Sequence, residues 1–268
     1  MTTNISLYTQ GSHQSNNKLF QLNNFITQQL SNSFNSATLL TQQLSNSITQ
    51  QLYTMNSKDY IYKLIEEGEH QQQDFKFEIS DARKIAKSLS AFSNTDGGRL
   101  LVGVKDNGKI AGVRSEEEIY MIEAAAKLYC KPQIDCEMHV HTVEGRTILE
   151  VIVPPGEQKP YCAKDHDNRW WAYIRVRDEN ILATPVHIKV WQQVGTPKGV
   201  FVHYTETEQM LLDYLSSHDS ITLNQYCHMA KISRPKAENT LAKFIRFELI
   251  EPYFDGQRFL FRQNEKSS

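Results

Sequence analysis

Polar and apolar side chains alternate through Gln73-Asp74-Phe75-Lys76-Phe77-Glu78, which predicts a half-buried strand. The period then changes. Ile85, Leu89 and Phe92 recur at spacings of four and three, so a helix with one buried stripe follows, capped by Asp81 and ended by Asn94. Thr95-Asp96-Gly97-Gly98 reads as a turn that needs positive φ or close backbone approach. Leu100 to Val104 is a short apolar run of buried-strand type, interrupted at Gly103, and Asp106-Asn107-Gly108 is a hairpin signal. Upstream, Ser57 caps a helix with Tyr60, Leu64 and Ile65 on its apolar side, and Gly68 ends it. Downstream, Ser115 and Glu118 form a capping box for a helix of about fifteen residues. Residues 134–154 read as a hairpin turning at Glu144-Gly145. Residues 170–177 read as an aromatic strand, and Thr184-Pro185 opens a helix reaching Gln193.

The last third has another rhythm. Thr205 and Glu208 make a capping box for a helix bearing Met210, Leu211 and Leu215. A second helix runs from Leu223 to Ala230. Ser233 caps a third, from about Arg234 to Phe247, with Ala237, Leu241, Phe244 and Ile245 as its stripe. A hairpin turning at Asp255-Gly256 closes the pattern. Three helices and a hairpin in this order resemble a small winged helix-turn-helix domain.

Composition divides the chain further. Residues 1–54 carry one charged side chain, Lys18. They repeat Thr-Gln-Gln-Leu-Ser-Asn-Ser at 27–33 and 41–47, so a disordered low-complexity segment is expected, with Met55 as the true first residue. The expected domains are 55–194 and 205–263, joined by a linker at 195–204. A net charge of −2 advertises no global basic field, so any nucleic-acid contact must come from local patches. No apolar run reaches membrane-spanning length, so no membrane partner is expected. Cys130, Cys136, Cys162 and Cys227 lack paired spacing and read as reduced thiols of a cytoplasmic protein. His139 and His141 share a strand face near Cys136, but the spacing matches no common zinc pattern and zinc is not expected.

Glu69, Asp74 and Asp106 lie at strand ends, with Lys76 close to Asp74. If the two strands are neighbours, these groups gather at one edge. They then suit Mg²⁺ or Mn²⁺ binding and phosphodiester cleavage, with Lys76 supporting developing phosphate charge. The residue types fit as well, and better, a plain reading in which Asp106 is a hairpin residue and the others are solvated strand-end charges.

At these residues a resemblance enters. Glu69-x4-Asp74-Phe75-Lys76, then AFSNTDGGRLLVGVKDNGKIAGV with its glycine turns Gly97, Gly98, Gly103 and Gly108, resembles the Schlafen AlbA-type domain family. The family is also catalogued as a divergent AAA-type DNA-binding domain. KPYCAKDHDNRWWAYIRVRDENILAT is similar to its second signature. The resemblance covers about Leu64 to Gln193. It implies a mixed α/β sheet domain that binds nucleic acid. In some vertebrate relatives it implies a divalent-metal endoribonuclease whose acidic triad falls on Glu69, Asp74 and Asp106. The second acid is commonly Glu in the family. Asp74 is one methylene shorter, which puts metal geometry in question. No Walker A pattern occurs, so ATP hydrolysis is not expected.

Two cationic surfaces remain. By alternation, Trp171, Tyr173, Arg175 and Arg177 share one face of the aromatic strand and read as a nucleic-acid face opposite an apolar one. In the C-terminal part, Lys231, Arg234, Lys236, Lys243 and Arg246 oppose one acid, Glu238, and Arg258 and Arg262 lie on the hairpin. The leading expectation is a DNA-binding transcriptional regulator, acting as a homodimer. The alternatives are a metal-dependent endoribonuclease on structured RNA and a protein-interaction adaptor.

Overall fold

The computed structural model describes residue 28, residues 57–193 and residues 204–264. The expectation for 1–54 therefore lies outside the described residues, save residue 28, and so does almost all of the expected linker. The chain divides into two compact units, Met1–Tyr60 and Ile61–Ser268. All the strands of the described residues belong to the second.

Helix α1 (Ser57–Glu67) buries Ile61 and Leu64. Strand β1 (Gln73–Lys76) pairs in parallel with β2 (Gly98–Val102), so Asp74 lies opposite Leu100 and Lys76 opposite Val102. A parallel pair needs a crossover. Helix α2 (Ala82–Asn94) supplies it, with the Asp81 carboxylate accepting from Arg83 N as its N-cap. Helix α3 (Glu117–Leu128) leads to the short β3 (Cys130–Lys131). The hairpin β4 (Glu137–Val143) and β5 (Arg146–Val153) completes a mixed sheet of order β1-β2-β5-β4. A second, antiparallel sheet has the order β3-β6-β7-β8, with β6 at Cys162–Lys164, β7 at Trp170–Val176 and β8 at Glu179–Leu182.

Helix α2 is the axis of this arrangement. Its Ile85, Leu89 and Phe92 pack with Leu100, Val102, Leu149 and Val151 of the mixed sheet. Its polar side is buried too. Ser90 Oγ donates to Tyr161 O at 2.8 Å, and Asn94 Nδ2 donates to Tyr161 O at 2.7 Å and Tyr173 O at 2.8 Å. Tyr161 N returns a bond to Asn94 Oδ1 at 2.8 Å. Small hydroxyls and one amide thus dock the second sheet on a helix face that would otherwise be wet, because buried polar atoms need partners.

The turn after α2 is equally tight. Gly97 has φ +72°, and a Cβ there would lie 2.7 Å from Val153 O. A Cβ on Gly98 would overlap the Phe92 ring. Gly98→Ala is therefore expected to destabilise the fold by about 1–3 kcal/mol, the usual range for overpacking. Urea midpoints would show it, and adding Phe92→Leu should recover part of the loss.

The expected Ser115–Glu118 capping box does not form. Glu116 is the N-cap of α3 and makes no side-chain cap bond. Glu118 is buried and instead accepts from Arg114 N at 2.8 Å and Ile79 N at 2.9 Å, tying α3 to the chain after β1.

Helix α4 (Pro185–Gln192) is followed in the C-terminal part by α5 (Glu206–Ser217), α6 (Leu223–Ala230), α7 (Arg234–Arg246) and the hairpin β9 (Ile250–Phe254) and β10 (Phe259–Gln263). The Thr205–Glu208 capping box is present, and Thr222–Gln225 makes a second. A lone bridge joins Ile221 to Phe261 of β10. Leu211, Leu215, Tyr226, Leu241, Phe244 and Phe261 form a separate core, which Val186 of α4 joins. No helix among the described residues is long and apolar enough to cross a membrane.

Candidate functional site

The structure brings three of the four strand-end residues together. Asp74 is buried, and its Oδ2 lies 2.7 Å from Lys76 Nζ. Ser88 Oγ approaches the same oxygen at 3.3 Å, and Arg175 Nη2 lies 3.4 Å from Oδ1. Glu69 Oε1 accepts from Phe75 N at 2.9 Å. Burial and a hydrogen bond to Asp74 raise the Glu69 pKa above its ordinary value. Burial alone would raise Asp74, but Lys76, the bond from Glu69 and Arg175 outweigh it and leave the pKa lowered.

Asp106 stands apart from this group. It is exposed on the turn closed by Gly108 N→Lys105 O at 2.8 Å, beyond Gly103, whose N–H donates to Lys76 O at 2.8 Å. Among the described residues no three His, Cys, Asp or Glu side chains converge on a position able to hold a metal ion. Glu69, Asp74 and Asp106 thus form no three-carboxylate cluster among the described residues. His141, considered above as a zinc ligand, pairs instead with Glu150 at 2.9 Å.

The aromatic–arginine face of β7 is placed otherwise than its alternation suggested. Arg175 is 2% exposed. Its guanidinium donates to Asn180 Oδ1 at 3.1 Å, Gln73 O at 3.0 Å and His70 O at 3.4 Å, and lies 5.1 Å from the centre of the Phe92 ring. Around Arg175 this face is covered by α2, so Arg175 joins the two sheets, while Trp171 on the same face stays 39% exposed. Arg177, one turn residue on, is exposed. The preceding loop also uses its cations locally: Lys159 donates to Thr95 O at 3.0 Å, and His166 sits 3.2 Å from Asp81.

In the C-terminal part, α6 and α7 are joined by three residues, of which Lys231 is left-handed with φ +51°. Lys231, Arg234 and Lys236 are exposed around this turn and the first turn of α7. Arg234 Nη1 donates to Asn224 Oδ1 and its Nε to Glu238 Oε1, each at 3.1 Å. Lys236 has no ion-pair partner among the described residues. Lys243 is bound to Glu208 at 2.8 Å, and Arg246 donates to Gln193 Oε1 at 3.2 Å. These two hold α7 to its neighbours. Arg258 is exposed on the hairpin turn, 3.8 Å from Asp255, and shares a cleft with Arg234. The cleft also uses Asn224 and Phe259, which sequence reasoning passed over. Asn224 follows the cap Thr222 by two residues, and that cap was the available signal.

His187 links this region to α4. Its Nδ1 accepts from Thr184 N at 3.2 Å in a capping box, and its ring meets Phe259 edge-on at 4.8 Å. Burial lowers its pKa to about 4. The folded state thus keeps His187 neutral where the unfolded chain, near pKa 6.5, takes up a proton. Stability should be unaffected above about pH 6.5 and fall as pH drops from about 6.5 to about 4, by on the order of 3 kcal/mol at the lower end. Urea midpoints against pH would show this. His187→Gln, which keeps an acceptor for Thr184 N, should flatten the slope.

These elements define a class: a mixed-sheet α/β domain built with a second sheet around one buried helix, followed by a small helical part with a hairpin. Residues 69–184 match the family model described as Schlafen, AlbA_2. Among solved structures, the chain is similar to a protein from Corynebacterium diphtheriae at 18% identity and TM-score 0.37, over 62% of this chain and 31% of that one. It is also similar to the N-terminal domain of a RecG-related protein from Nitrosomonas europaea at 20% identity and TM-score 0.34, over 57% of this chain and 100% of that one. The chain thus spans about a third of the length of the Corynebacterium protein. No curated protein matches it.

Proposed function

We propose that the protein is a DNA-binding regulator whose residues 205–263 form a winged helix-turn-helix domain. One observation carries the reading. The order α5, bridge residue Ile221, α6, three-residue turn, α7, hairpin is that of a winged helix, with Ile221 paired to Phe261 as the short first strand. The exposed cations lie where that module meets DNA. Lys231, Arg234 and Lys236 surround the start of α7, the groove-entering helix, and Arg258 lies on the wing. Lys243 is paired with Glu208 and Arg246 with Gln193, so the contact set is smaller than composition suggests. Most of these cations would meet phosphates, which position a protein on DNA without reading sequence. The Schlafen AlbA_2 domain adds a nucleic-acid surface, of which Arg177 is a part, or pairs subunits. A homodimer would present two recognition helices to a two-fold site.

The test runs binding and cleavage on the same samples of full-length protein. Duplex DNA, single-stranded DNA and structured RNA are each incubated with Mn²⁺ or EDTA. The reading expects duplex binding without cleavage, and light scattering at twice the chain mass. Mn²⁺-dependent RNA cleavage that is lost in Asp106→Asn would overturn it in favour of a nuclease. Absence of both binding and cleavage would leave an interaction adaptor.

A further inference from the structure

We infer that the cleft between α4, α6, α7 and the hairpin turn binds a small organic anion with an aromatic or aliphatic body. Its volume, about 420 Å³, is that of a small-molecule site. Its floor is apolar: Val186 and Phe261 are buried at 1% and 2% exposure, and Leu223 and Phe259 stand beside them. Its rim carries two guanidinium groups. Arg234 is fixed by Asn224 and Glu238 through Nη1 and Nε, which leaves Nη2 without a partner among the described residues. Arg258 has a side chain 68% exposed and only a distant carboxylate at 3.8 Å. Two planar forks over an apolar floor suit a carboxylate or phosphate head joined to an apolar body. A DNA phosphate would use the forks and leave the floor empty.

The regulatory consequence rests on the helix-turn-helix reading. Arg234 and Arg258 belong to both the cleft and the DNA-facing set, so an anion held here and duplex DNA exclude one another. The ligand would release the protein from DNA by occupying the same cations, without a change of fold.

The test uses the ¹⁵N-labelled full chain and three probes: phenyl phosphate, inorganic phosphate and benzyl alcohol. Phenyl phosphate is expected to shift the amides of Leu223, Asn224 and Phe259 saturably, at least about tenfold tighter than either other probe. Arg258→Gln should remove most of that advantage, while Lys127→Ala, an exposed change of equal charge on α3, should not. Phenyl phosphate binding no tighter than inorganic phosphate, or no saturable shift at these amides, would overturn the site. Duplex binding is measured separately, with and without the probe. Duplex affinity that falls as phenyl phosphate saturates supports the exclusion. Unchanged affinity overturns the exclusion and leaves the site standing. A chain that takes phenyl phosphate and never binds duplex overturns the helix-turn-helix reading alone.

Discussion

Replacing Arg175 by alanine should destabilise the protein by about 3–5 kcal/mol, the usual loss when one partner of a buried ion pair is removed. The size follows from what is left behind. Asp74 stays buried with Lys76 as its remaining cation. The carbonyls of Gln73 and His70 and the Asn180 amide oxygen lose the donors that Arg175 supplies. Phe92 loses the guanidinium packed on its ring. Lysine should not rescue the loss, because one ammonium cannot reach partners spread around a planar fork. The double change Asp74→Asn/Arg175→Met should cost less than the sum of its parts, since it removes the unpaired charge. Thermal melts would show a fall of roughly 10 °C for Arg175→Ala. Duplex DNA affinity of the folded protein should stay unchanged at low temperature. A stable Arg175→Ala protein with weakened DNA binding would return this residue to the interface.

The second large effect concerns DNA itself. Lys236→Ala with Arg258→Ala removes two phosphate contacts, one on each side of the proposed groove contact. Each released counterion is worth about 0.9 log units at about 0.1 M salt, so the pair should cost roughly 50-fold in duplex affinity there for each protomer engaged, and almost nothing near 1 M. Stability should hardly move. Both side chains are on the surface, and Arg258 makes only a 3.8 Å approach to Asp255. Lys127→Ala is a one-charge control that should leave duplex affinity nearly unchanged, and filter binding or fluorescence anisotropy would read both variants.

Helices α5 and α6 have caps written in side chains, whereas Ser233 makes no side-chain cap bond and α7 was legible from its apolar stripe. Thr205 with Glu208 predicts a box, and the box is there. The mixed sheet was legible from the change of hydrophobic period around α2 and from the glycines that follow it. Polarity misled where a polar face was taken for a wet one. Ser90 and Asn94 look like the outside of α2, and only the carbonyls of Tyr161 and Tyr173, some 70 to 80 residues away in sequence, turn them inward. The same error moved Arg175 to the surface, because alternation separates two faces of a strand without saying which one a distant helix will cover. Neighbouring of β1 and β2 could be anticipated, and with it the meeting of Asp74 and Lys76. The distance from Asp74 to Asp106 could not, since it depends on how the 103–112 turn leaves the sheet edge. Nor did the spacing of apolar residues tell which core α4 would join. Val186 and Val190 fit either, and packing against α7 decides.

The measurement that bears most directly on the account is the salt dependence of duplex DNA binding by the full chain. Four exposed cations, Lys231, Arg234, Lys236 and Arg258, predict a slope of log affinity against log salt of about −4 per protomer. Each charge removed from this set should lessen the slope by about one. A slope near zero, or one untouched by Lys236→Ala and Arg258→Ala, would contradict the helix-turn-helix reading and leave the segment 69–184, which matches the Schlafen AlbA_2 model, to explain any nucleic-acid binding that remains.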